Sequence, residues 1–95
     1  MPEVHARLRW PDGTRARCYS PSLVLTEHLD EGASYPVDEF VARARAALTE
    51  ASDRVRAQYG FPCRLAAASL AGIESEATRF ASDAEAAVTV EGFDR

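Results

Sequence analysis

One stretch limits the fold more than any other. Val4, Ala6, Leu8 and Trp10 alternate with His5, Arg7 and Arg9, which is the period of a strand with one buried face. Trp10-Pro11-Asp12-Gly13-Thr14 follows. Proline stands at the first turn position, where its fixed φ fits, and glycine stands where a positive φ is needed. This order predicts a type I turn closed by a glycine bulge, with Thr14 to Tyr19 as the returning strand. An isolated hairpin is barely stable in water, so the rest of the chain has to cover the Leu8/Trp10 face.

Helices supply that cover. Val37, Phe40, Val41, Ala44, Leu48, Ala51, Val55 and Tyr59 recur at helical spacing and predict a helix over 37–59. Asp38 and Glu39 suit the positive end of its dipole, and Gly60 suits a left-handed cap. Pro62 opens a second helix running to Phe80, with Leu65, Leu70, Ile73, Ala77 and Phe80 inward. Val88 and Val90 alternate with Thr89 and Glu91 in a closing strand over 87–92. Leu23-Val24-Leu25 reads equally as a short third strand or one helical turn, so 22–29 stays open between the two. The order β-β-(β)-α-α-β predicts an α+β fold. An antiparallel β-sheet, made of the N-terminal hairpin plus the C-terminal strand, is packed on one face by a two-helix hairpin.

The 95 residues suffice for one domain over 1–95 and no second core. Hydrophobic content of 46% with 27% charged residues is ordinary globular composition. The net charge of −4 argues against binding to nucleic acid or an anionic membrane, both of which need a basic surplus. No lysine is present, which excludes Schiff-base chemistry and the phosphate-binding lysine of a P-loop. No apolar run approaches the ~20 residues that span a bilayer, and no leader pattern precedes Val4. Two distant cysteines, Cys18 and Cys63, complete the expectation of a reduced, cytoplasmic protein.

Charge is unevenly distributed. Arg7, Arg9, Arg15 and Arg17 face only Glu3 and Asp12 within residues 1–22, a balance of +2 that leaves −6 for the remainder. Registering the hairpin through its turn sets Arg9 opposite Arg15 and Arg7 opposite Arg17, on the face away from Trp10, with His5 near Tyr19. Like charges opposite one another destabilise a sheet. Two explanations fit. Glu91 on the last strand, with Glu27, Asp30 and Glu31 folding over the edge, would compensate the arginines internally. Alternatively, the face docks an acidic partner or a phosphate or carboxylate held by guanidinium forks.

Catalytic groups are sparse. Strand alternation turns Cys18 away from Arg17 and towards Ala6 and Ala16, the position of a structural cysteine. Cys63 lies at a helix start, with no base in the neighbouring sequence. His5, His28, Cys18 and Cys63 match no metal-ligand spacing. The glycines at 13, 32, 60, 72 and 92 form no phosphate cradle. Ser20-Pro21-Ser22 reads as a turn. No metal and no cofactor are expected.

Four strings occur in order along the chain: Arg-Trp-Pro-Asp-Gly (9–13), Cys-Tyr-Ser-Pro-Ser (18–22), Ser-Tyr-Pro-Val-Asp-Glu-Phe (34–40) and Tyr-Gly-Phe-Pro-Cys (59–63). Together they resemble a family of small bacterial nitrogen-starvation response proteins. These are encoded beside a nitrilase, a radical-SAM protein, an acetyltransferase and a flavin-dependent oxidoreductase, in clusters linked to nitrile or cyanide nitrogen assimilation. The resemblance implies a cytosolic accessory role and carries no catalytic residues. The expected function is a non-catalytic accessory or scaffold protein that binds a cluster-encoded enzyme. Its contact surface would be Arg7, Arg9, Arg15 and Arg17 with Tyr19, Ser20, Pro21 and Ser22. The alternatives are a small-anion or intermediate-binding protein using the arginine face, or a small enzyme completed across the interface of a homo-oligomer.

Overall fold

The structure, a computed structural model, describes residues 3–95. Strand β1 (Val4–Arg9) and strand β2 (Arg15–Ser20) form the hairpin. The turn is closed by Gly13 N–H donating to Trp10 O and Trp10 N–H to Thr14 O, both at 2.8 Å. Gly13 has φ +89°, a value that any side chain would strain. The Asp12 carboxylate accepts from Thr14 N–H at 3.0 Å, and that bond holds its carboxyl below the usual range.

Residues 22–29 settle as helix rather than strand. Helix α1 (Leu25–His28) is one turn long, and Val24, Leu25 and Leu29 are all buried. The third strand lies later. Strand β3 (Ser34–Pro36) lies immediately before the next helix, at a place where the sequence pattern predicts no strand. Strand β4 (Ala87–Asp94) runs two residues beyond its expected end. All pairings are antiparallel, in the order β2-β1-β4-β3.

Helix α2 (Val37–Tyr59) has the predicted bounds, and Gly60 caps it at φ +85° with its N–H on Arg56 O. Helix α3 (Arg64–Ala77) ends in a 3-10 turn over Thr78–Phe80. α2 packs on α1, α3, β3 and β4, while α3 lies over α2 and β2. Trp10 is the centre of this layer, edge-on to Phe40 and stacked on Phe80, with both centroids at 5.9 Å. Phe40, Leu8 and Leu48 are fully enclosed, each contributing about 1.5–3 kcal/mol by leaving water. Two inward assignments fail. Leu65 is 62% exposed and Tyr59 52%, because the helical period continues past the point where there is sheet to cover. Among the described residues, no helix is long and apolar enough to cross a membrane.

Candidate functional site

The hairpin register pairs Arg7 with Arg17 and Arg9 with Arg15. The turn hydrogen bonds set the alternation of the ladder. Trp10 exchanges bonds with the far side of the turn, so Leu8–Ala16 and Ala6–Cys18 are hydrogen-bonded pairs and the two arginine pairs fall between them. Side chains come closest at such positions, which heightens the like-charge conflict. The conflict is met by β4. Leu8 pairs with Val90 but Arg7 with Gly92, so Glu91 is the extra residue of a bulge. The bulge resets the alternation beyond it: Asp94 joins Glu91 on the arginine face, and Phe93 turns to the core side as a half-buried neighbour of the apolar cluster.

Each carboxylate then serves two arginines. Glu91 lies 3.8 Å from Arg9 Nε and 3.6 Å from Arg15 Nε. Asp94 lies 3.4 Å from Arg7 Nε and 3.3 Å from Arg17 Nη2. Gly92 permits the crossing. A Cβ there would lie 2.2 Å from Arg7 Nη2 and 2.9 Å from Glu31 Oε1, so the Arg7 guanidinium lies over the glycine with Glu31 beside it. These are long, single contacts rather than bidentate forks, and exposed pairs of this kind contribute ~0–1 kcal/mol each. Four guanidiniums meet two bridging carboxylates across the strands, with Glu31 a third beside Arg7, which leaves a residual +1 and most N–H donors open to solvent. A shallow basin of about 500 Å³ lies between Arg7, Arg15, Arg17, Glu91 and Asp94.

The neighbouring candidates divide. Tyr19 adjoins the ladder, its ring edge-on to His5 at 5.4 Å, and its N–H donates to Ser69 Oγ at 3.0 Å. Burial pushes the Tyr19 hydroxyl up, with smaller contributions from Cys63 and Glu3. Ser20, Pro21 and Ser22 are buried. Ser20 Oγ donates to Ser22 O at 2.7 Å and accepts from Ser22 N–H, so these residues build the corner into α1 and offer no contact surface.

Cys18 is enclosed, and burial pushes its thiol up to about 12, which leaves it protonated and unreactive at neutral pH. Cys63 is the residue preceding α3, its N–H on Ser52 Oγ at 3.4 Å. His28 pairs with Glu50 at 2.9 Å, far from His5 and its Tyr19 partner. Among the described residues, no three His, Cys, Asp or Glu side chains are grouped so as to hold a metal ion.

Asp94 is the site residue that sequence reasoning missed. Its signal was Gly92, since an isolated glycine in a strand pattern marks a bulge rather than an end.

Fold and site together define a small α+β domain: a four-stranded antiparallel sheet with a helical layer on one face and a carboxylate-bridged arginine ladder on the other. The chain belongs to the family of nitrogen starvation-induced proteins NitG, whose family model matches residues 5–93. No curated protein and no solved structure matches it.

Proposed function

We propose that this member of a nitrogen starvation-induced family is a non-catalytic accessory protein. It binds an enzyme encoded in the same cluster, one that assimilates nitrogen from nitriles or cyanide. The contact surface is the ladder of Arg7, Arg9, Arg15 and Arg17, with Tyr19 at its end. The observation that carries this reading is the excess of guanidinium over carboxylate on an otherwise finished sheet face. Every arginine of the ladder is about half exposed or more, so its donors reach a partner without disturbing the core. Arginine and tyrosine are also the side chains that most often anchor protein interfaces.

The test is recovery of the cluster-encoded enzymes on the tagged protein. Arg7→Glu with Arg17→Glu should abolish recovery and slow growth on a nitrile or cyanide nitrogen source, while the circular dichroism spectrum stays unchanged. Normal recovery and growth would remove the ladder from consideration. The basin between the arginines also suits a small anion. Calorimetric titration with phosphate and with carboxylates separates that second reading from the first.

A further inference from the structure

The open edge of β2 carries the strongest unexplained feature of the molecule. β2 is the outermost strand of the sheet. The alternation that places Arg15 and Arg17 at positions not hydrogen-bonded to β1 turns their N–H and C=O groups outward, away from the sheet. Tyr19 follows the same alternation, and its outward N–H is taken by Ser69 of α3. Between Thr14 and Arg17 the strand and the helix stand apart. A cleft of about 420 Å³ runs there, walled by Ala68, Gly72, Ile73 and Glu76 on the helix side, the Glu76 carboxylate being paired with Arg79, and floored by Leu8 and Trp10. The small side chains of α3 leave the space between the two elements unfilled, and a Cβ on Gly72 would meet nothing within 4 Å. The four residues Thr14 to Arg17, three of them in β2, give an open edge about 13 Å long.

We infer that this edge is a docking site for an extended acidic segment of a partner protein, added to the sheet as a fifth strand. The inference rests on the partner-binding reading above and names the chemistry that the partner must present. A strand laid along β2 forms hydrogen-bonded pairs with Arg15 and Arg17 through their outward backbone groups. Its residues opposite those two arginines point to the ladder face, where carboxylates make favourable cross-strand pairs. The residue between them lies opposite Ala16 and points into the cleft, against Gly72 and Ile73, where a small apolar side chain fits. The recognised pattern is therefore acidic, apolar, acidic in successive residues, and Ser69 stops the added strand before Tyr19.

The protein's own last strand shows the same charge chemistry from the other side, because Glu91 and Asp94 reach across β1 to Arg15 and Arg17. Those two arginines are 75% and 57% exposed, against 50% and 49% for Arg9 and Arg7. The larger unmet charge lies next to the open edge. A second copy of the chain is disfavoured as occupant, since antiparallel β2–β2 pairing centred on either arginine sets that residue against its own copy.

The probe is a fluorescein-labelled peptide of alternating glutamate and valine, compared with one of equal composition in which the glutamates form a block. Titrated into the full chain at about 0.15 M salt, where long-range attraction between exposed charges is screened, the alternating peptide should bind saturably and at least tenfold more tightly than the block peptide. Bound peptide should slow hydrogen exchange at the Arg15 and Arg17 amides. Gly72→Leu, which fills the cleft and removes a helix-weakening glycine, should weaken binding at least tenfold with the fold retained. Equal affinity for the two peptides, unprotected Arg15 and Arg17 amides, or full binding by Gly72→Leu would overturn the inference, as would concentration-dependent dimerisation of the free chain through this edge. If Gly72→Leu still recovers the cluster-encoded enzymes while Arg7→Glu with Arg17→Glu does not, the cleft falls and the ladder stands. If neither variant affects recovery, both readings fall.

Discussion

Replacing Asp94 with asparagine removes the charge shared by Arg7 and Arg17 and keeps the size of the side chain. Two exposed ion pairs, at 3.4 and 3.3 Å, disappear. Pairs of this kind contribute ~0.2–1 kcal/mol each, while the Arg7–Arg17 repulsion across the hairpin is present before and after the substitution and cancels in the difference. The expected loss is therefore about 0.4–2 kcal/mol. For a domain of this size that lowers Tm by about 2–16 °C.

The assay is thermal unfolding followed by circular dichroism, at about 0.01 M and about 1 M salt. The Debye length falls from ~30 to ~3 Å between those limits, so most of the loss should vanish at high salt. Arg7→Thr with Arg17→Thr removes the same attractions and the repulsion as well, and should cost less than Asp94→Asn by some tenths of a kcal/mol. In that background Asp94→Asn should then cost almost nothing, so that the coupling energy equals nearly the whole effect. A full loss from Asp94→Asn in the threonine background would refute the reasoning, because the residue would then be acting through the end of β4 rather than through the arginines. No loss at low salt in the native background would refute it as well.

Phe40→Ala should cost about 3–5 kcal/mol, since the ring is fully enclosed and touches Trp10, whereas Leu65→Ala at an exposed position should stay within about 0.5 kcal/mol; chemical denaturation measures both. Cys18 should resist a thiol reagent at pH 8 until the protein unfolds, while the partly exposed Cys63 reacts in the native state. The Cys18 thiol is raised from 9.0 to about 12, so the native state holds its proton where the unfolded chain has lost it. Its contribution to stability is full below pH 9 and is lost as pH rises towards 12, amounting to ~4 kcal/mol at 1.36 kcal/mol per unit. Cys18→Ala should flatten that alkaline decline, and an unchanged slope in the variant would refute the assignment.

The hairpin was legible down to the opposing arginines because turn chemistry fixes register, and register fixes which side chains meet. α2 was legible to the residue because its apolar period is long and a glycine closes it. The third strand was not. Ser34-Tyr35-Pro36 is too short to show a period, and its strand character comes from partners on β4, with Tyr35 opposite Val88. Periodicity also overreached at Leu65 and Tyr59, since a pattern records what a helix would present and not how far its neighbour extends. The charge conflict of the ladder was readable, and Glu91 was identifiable as one counter-charge. Asp94 was not, because the bulge at Glu91 shifts every later side chain to the opposite face from the one that simple alternation assigns.

The two edges of the sheet are closed in different ways, and the difference bears on why the ladder persists despite its cost. β3 is three residues long, ends in Pro36, and has Tyr35 covered by the Arg43 guanidinium at 4.6 Å. Short length and proline are ordinary defences against strand addition. β2 has neither: it is six residues long and carries no proline, and among the described residues its one outward backbone bond to α3 is that of Tyr19. What guards the remaining length is charge. Arg15 and Arg17 repel a second copy of themselves and any basic strand, so the same residues that weaken the hairpin prevent it from templating its own aggregation. An edge guarded by one sign of charge is closed to most chains and open to the opposite sign. A fully neutralised ladder would protect nothing, and an unbridged one would strain the hairpin. Two bridging carboxylates, with Glu31 beside Arg7, against four arginines is the intermediate that leaves the edge selective.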